Sequence, residues 1–147
     1  MAYTGNIYTN RVGEIVADTS SRYYDKAENA GYPSGQCTWY CYGRTLERGL
    51  YSLTSGLGNA GQWFDAARSK GYITQSNPVS KSVAVFPGHV VFVEQYTGST
   101  VYYTEANNPS VEDGQVSKLA WSKFKDKFGG CLGFIVVSKK PNPPTGD

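Results

Sequence analysis

Three consecutive runs of β-branched and aromatic residues constrain this chain more than any other feature: Val83 to Phe86, His89 to Tyr96 and Thr100 to Glu105. Pro87-Gly88 and Thr97-Gly98-Ser99 separate them, and such short Pro/Gly/Ser segments mark tight turns. Short apolar runs joined in this way predict a meander of antiparallel strands. Gln115 to Trp121 predicts a further short strand that turns into Trp121-Ser122-Lys123-Phe124, and Cys131 to Val137 is expected to close the sheet. Before Pro78 the pattern is helical. Pro33-Ser34-Gly35 leads into a helix from Cys37 to about Arg48, with Gly49 placed to end it. Asn59 suits the N-cap of a second helix, Ala60 to Lys70, that stops at Gly71 and presents Ala60, Trp63, Phe64 and Ala67 as its core face. Arg11 to Ala30 reads as one or two short helices, and residues 1–10 as an extended arm. N-terminal helices packed on an antiparallel β-sheet meander make an α+β fold.

At 147 residues the chain is long enough for one domain with a proper core. Residues 1–138 are expected to form it, and the proline-rich segment 139–147 reads as the start of a linker. The formal charge of +2 comes from scattered Lys and Arg, which predicts no nucleic-acid partner. No stretch reaches the length of a membrane span, and Met1-Ala2-Tyr3-Thr4-Gly5-Asn6 has none of the regions of a signal peptide. A monomer is expected. The cysteines Cys37, Cys41 and Cys131 form an odd set. Cys37 and Cys41 fall one turn apart on the same helix face, a poor geometry for a disulfide, so a disulfide scaffold is not expected.

Cys37 opens its helix, where unsatisfied backbone N–H groups and the positive end of the dipole favour a negative charge. Such surroundings raise the thiolate fraction of a cysteine, and the thiolate is the nucleophile in covalent catalysis. The chain has one histidine, His89, in Gly88-His89-Val90-Val91-Phe92-Val93-Glu94. Imidazole is the usual base for a cysteine because it titrates near working pH. Glu105 and Asn107, two residues apart at the end of a strand, are expected on one face, where either can accept the second imidazole N–H. Glu94 lies on the same strand as His89 and about 16 Å along it, too far for contact. Each of these residues also has an ordinary structural reading: a buried thiol at a helix start, a histidine at a strand end, a polar turn. Cys37, Cys41, His89 and Cys131 together make a Cys₃His count, the basis of a rival reading as a zinc-stabilised binding module.

Gly35-Gln36-Cys37-Thr38-Trp39-Tyr40, then Gly58-Asn59-Ala60 with Trp63, then Gly88-His89 through Glu94, then Glu105-Ala106-Asn107 together resemble the CHAP domain, a family of cysteine, histidine-dependent amidohydrolases and peptidases. The resemblance covers about residues 32–137 and implies a papain-like fold. It implies Cys37 as nucleophile, His89 as base and then acid, and Glu105 as the residue that orients His89, with Asn107 in support. The backbone N–H of Cys37 and the side chain of Gln36 become the oxyanion donors, and Trp39, Trp63 and Tyr103 candidate cleft residues, although core packing suits Trp63 better. The implied partner is bacterial peptidoglycan, cut at the N-acetylmuramoyl-L-alanine amide or at a cross-bridge, with no cofactor and no metal. A phage endolysin with a wall-binding module beyond the linker is the expected context, made in the host cytoplasm; a bacterial autolysin or a phage tail hydrolase is the alternative. Leu57 and Asn108-Pro109 stand where many members carry Trp, a change expected in the cleft wall. Tyr24 to Gly31 holds too few carboxylates for the calcium loop of some members.

Overall fold

The computed structural model describes residues 12–142; the expected arm at residues 1–10 and the end of the expected linker, residues 143–147, lie outside it. Helix α1 (Arg22–Asn29) and helix α2 (Cys37–Glu47) pack together. Their close approach needs Gly43, where a Cβ would stand 2.2 Å from the Tyr24 ring. A single 3₁₀ turn, Ala60–Gln62, then runs into α3 (Trp63–Ser69). Asn59 and Gln62 close a capping box at its start, as the Asn59 N-cap predicts. The expected continuous helix is therefore two elements. Ala60, Trp63 and Ala67 are buried as its core face, and Phe64 is half-buried.

Six antiparallel strands follow: β1 (Ile73–Gln75), β2 (Ser82–Phe86), β3 (His89–Tyr96), β4 (Thr100–Thr104), β5 (Ser117–Ala120) and β6 (Gly133–Val136), in the order β1-β6-β2-β3-β4-β5. Strands β2 to β5 form the expected meander. The last strand does not close an edge but inserts between β2 and β1, pairing Ile135 with both Val83 and Thr74. β1 has no apolar run of its own and escapes sequence patterning; its three residues are held by pairing to β6 and by the neighbouring α3.

Both faces of the central strands are covered, so Val83 to Phe86 of β2 and Val90 to Val93 of β3 are apolar throughout rather than alternating. Val83, Val85, Val90, Phe92 and Ile135 pack with α1, α2 and α3. Ala84, Phe86, Val91, Val93 and Phe134 pack on the opposite face with Phe124 of the short helix α4 (Trp121–Phe124) and with Phe128. The backbone N–H of Asn142 donates to the Gly71 carbonyl at 2.7 Å, so the first residues of the expected linker run back along the domain.

Candidate active site

Helix α2 begins at the floor of an open cleft of about 750 Å³, lined by Gln36, Cys37, Thr38, His89 and Asn107 together with Tyr32, Pro33 and the Gly58-Asn59-Ala60 corner. Gln36 is the N-cap residue, in extended conformation, and its side chain makes no capping bond. The N–H groups of the first turn have no intrahelical partner, so the positive end of the helix is left open toward the cleft beside Cys37.

His89 opens β3 directly after the exposed Pro87-Gly88 corner. That corner is seated on the 3₁₀ turn before α3: a Cβ on Gly61 would lie 2.0 Å from the Pro87 carbonyl oxygen, so only glycine permits the approach. The two imidazole nitrogens have different partners. Nε2 lies 2.7 Å from Oε1 of Glu105, and the ring also hydrogen-bonds Cys37, which leaves Nδ1 for the sulfur. Burial alone would lower the imidazole pKa; the hydrogen bonds to Cys37 and Glu105 and their charges outweigh it and raise it to about 9. The imidazolium is thus the resting form at neutral pH. Glu105 is 1% exposed and its backbone carbonyl accepts from the Gly114 N–H, so the carboxylate has little freedom to turn away.

Asn107 departs from expectation. β4 ends at Thr104, and Asn107 has a left-handed backbone, φ +64°, so it does not continue the strand face of Glu105. Asparagine tolerates that conformation better than most residues. Its side chain donates through Nδ2 to Oε1 of Gln36 at 3.4 Å, and its N–H is held by Asp113 at 3.2 Å. Asn107 therefore lies at the cleft but turned to Gln36, whose Oε1 it holds.

Two aromatic residues are corrected. Trp39 follows Cys37 by two residues, more than half a turn around the helix, and is buried against Tyr24 of α1 at a ring separation of 5.1 Å rather than lining the cleft. Trp63, as its place on the core face predicts, is fully buried, and its Nε1 donates to the Gly58 carbonyl at 3.0 Å. Tyr103 is buried on the far face of the sheet against Phe124. Leu57 is likewise core rather than cleft wall, whereas Asn108 and Pro109 do border a cavity next to His89. Cys131 belongs to the far-face cluster and the other two thiols to the helix-side core, so the Cys₃His set does not converge. Among the described residues no three His, Cys, Asp or Glu side chains are grouped to hold a metal.

Glu94, set aside as an orienter of His89, has a different place. Its carboxylate takes a bidentate pair from Arg44 of α2 at 2.8 and 3.0 Å, a further bond from Arg48, and the Thr104 hydroxyl at 2.7 Å. Arg44 also reaches Glu47 at 2.8 Å, and the Tyr40 hydroxyl donates to Thr104 at 2.7 Å. This buried network ties the helix of Cys37, the strand of His89 and the strand before Glu105 to one another. No sequence pattern announces it, because its members lie up to 64 positions apart.

The sequence model of the CHAP domain matches residues 27–107, just over half of the chain, and so takes in Cys37, His89, Glu105 and Asn107. This chain belongs to the CHAP domain family. It is 30% identical to the N-acetylmuramoyl-L-alanine amidase sle1 of Staphylococcus aureus over 76% of this chain and 34% of that one. It is 32% identical to the sle1 amidase of Staphylococcus haemolyticus over 56% of this chain and 26% of the relative. A crystal structure of an N-acetylmuramoyl-L-alanine amidase from Staphylococcus aureus superimposes with a TM-score of 0.52 at 31% identity, over 60% of this chain and 27% of that one. The CHAP domain described here thus spans about a third or less of the length of these relatives.

Proposed function

We propose that this CHAP domain is the catalytic domain of a peptidoglycan hydrolase that cuts the amide between N-acetylmuramic acid and L-alanine through a Cys37 thioester. The observation that carries the reading is the placement of His89 between Glu105 at 2.7 Å and Cys37, at the open end of α2 on the floor of a cleft. The names of the relatives favour the muramoyl-alanine amide over a cross-bridge bond.

In the reacting form of the site the Cys37 thiolate is the nucleophile and the His89 imidazolium its partner. Cys37 Sγ attacks the amide carbonyl carbon, a C–S bond forms, and the carbonyl electron pair moves onto oxygen. The Cys37 N–H and the Gln36 Nε2 group are the donors for that oxyanion, and one such donor lowers the barrier by roughly 2.7–4 kcal/mol in comparable enzymes. His89 gives its Nδ1 proton to the nitrogen as the C–N bond breaks and the peptide leaves as an amine. His89 then takes a proton from water, which attacks the thioester and releases the muramoyl carboxylate and the thiol. Glu105 holds the ring in place and offsets its positive charge. Asn107 acts on the oxyanion side by orienting Gln36, rather than on His89.

We take residues 1–138 as the domain and place it in a phage endolysin or, alternatively, a bacterial autolysin. The greater length of the relatives supports a separate wall-binding region. Mass spectrometry of fragments released from purified walls tests the scissile bond. New L-alanine amino termini with intact lactyl carboxylates are expected; cross-bridge termini instead would make the domain an endopeptidase.

A further inference from the structure

Phe128 sits beyond the stretch that matches the family and carries a left-handed backbone, φ +50° and ψ 34°. An aromatic residue adopts that conformation only where its surroundings over-determine it. Gly129 and Gly130 follow immediately, both with positive φ. The strained position is therefore held for the sake of the ring. That ring stands edge-on to Phe86 at 5.1 Å and against the imidazole of His89 at 4.6 Å, and Lys127 Nζ lies 4.8 Å over it. Phe128 is half-buried. It walls a cavity of about 400 Å³ with Gly88, His89, Asn107, Asn108 and Pro109. No carboxylate is among these residues; His89 and, over the face of the Phe128 ring, Lys127 are the cationic groups beside it. The cavity shares Gly88, His89 and Asn107 with the main cleft, so the two spaces meet at the imidazole.

The chemistry orients a substrate across this junction. The acyl carbonyl has to lie at the Cys37 N–H and Gln36, inside the main cleft. The departing nitrogen has to reach His89. The residue attached through that nitrogen then continues past the imidazole into the cavity beyond it. We propose that this cavity is the subsite for the residue that leaves as the amine, and that Phe128 is its apolar wall, against which an apolar side chain of that residue packs. The proposal rests on the cysteine amide-hydrolase reading above; in its muramoyl form that residue is the alanine.

Two series of synthetic, end-blocked amides test it, one with an N-acetylmuramoyl acyl group and one with a D-alanyl acyl group, each with L-alanine or glycine on the amine side. In whichever series is cut, kcat/KM is expected to favour alanine over glycine about fourfold, the factor one buried methylene is worth. Phe128→Tyr should keep that ratio. Phe128→Asn and Phe128→Gly tolerate the left-handed backbone and should bring it to about one, with thermal melting to verify folding. The ratio is internal, so a general loss of activity does not move it. Should a variant turn over too slowly, the ratio is read from binding: in Cys37→Ala protein, Phe128→Asn should weaken an L-alanyl amide about fourfold and leave a glycyl amide unchanged by NMR titration. A wild-type ratio of one, or an unchanged ratio in the Asn and Gly variants, overturns the proposal. Cleavage of the D-alanyl series alone overturns the muramoyl reading and leaves the Phe128 ratio standing as its own test. Cleavage of neither series overturns both.

Discussion

Cys37 and Cys41 share a helix face, yet their surroundings separate them chemically. Cys37 borders the cleft and touches His89. Cys41 is fully buried, and burial, followed by the nearby charges of Cys37, Glu105 and Glu94, pushes its thiol well above the ordinary range. Burial likewise pushes Cys131 up to about 11. A limiting amount of iodoacetamide at neutral pH should therefore label Cys37 ahead of both, as read by peptide mapping. Cys37→Ser should lower wall lysis by about 10⁴-fold or more while the melting temperature holds, and Cys41→Ser should retain most activity. Glu105→Gln keeps the shape and removes the charge that stabilises the imidazolium, so a loss of roughly 10³–10⁴ in kcat is expected. Asn107→Ala removes only the hold on Gln36 and should cost less than about 10²-fold, below the loss of an oxyanion donor itself. The reverse order of these two variants would return Asn107 to the role of His89 orienter. The lysis rate should fall on the alkaline side with a midpoint near 9, where His89 loses its proton.

At the scale of elements, the site depends on α2, β3 and β4 keeping their relative positions. The Arg44–Glu94 pair does this from inside the core, where both side chains are fully buried. Removing one partner takes away the main counter-charge and leaves only Arg48 beside Glu94, or Glu47 beside Arg44, so Arg44→Met or Glu94→Gln should each destabilise by about 3 kcal/mol in urea unfolding, the low end for a broken buried pair. Tyr40→Phe loses a single neutral hydrogen bond and should cost about 1 kcal/mol. Gly61→Ala tests the corner that presents His89. The added methyl meets a backbone oxygen that a rotamer change cannot move, and overpacking of this kind costs about 1–3 kcal/mol. Its effect on kcat should exceed what the stability loss explains, because Pro87-Gly88 must shift and His89 with it.

For the molecule as a whole, the same imidazole couples the site to folding. The pKa of His89 rises from an ordinary 6.5 to about 9 in the folded protein. The folded state therefore binds this proton more tightly than the unfolded state. The resulting stabilisation is complete below about pH 6.5 and is lost as pH rises through about 9. Melting temperature should decline over that window, and the decline should be smaller in Cys37→Ala, which removes one of the two groups that hold the proton. Wall lysis should persist in EDTA, since nucleophile, acid–base and oxyanion roles are all assigned to organic groups. Loss in EDTA with recovery on calcium or zinc would sink the metal-free mechanism.

The amino-acid sequence by itself determined the elements whose signals are local. Turn residues and β-branched runs located β2, β3 and β4, because strand pattern and turn chemistry are read over a few residues. Gly35 and Gly49 bracketed α2 for the same reason, and so placed Cys37 at its start. His89 and Glu105 were legible as polar residues at strand ends. Tertiary structure decided what depends on distant partners. β6 inserts between β1 and β2, and three-residue β1 exists only because β6 pairs with it. Helical phase against α1 turned Trp39 into the core, and the left-handed turn after Thr104 sent Asn107 to Gln36 instead of His89. The Glu94 network and the Phe128 contact with His89 join residues far apart in the chain, and no local pattern encodes a contact whose energy comes only from the assembled fold.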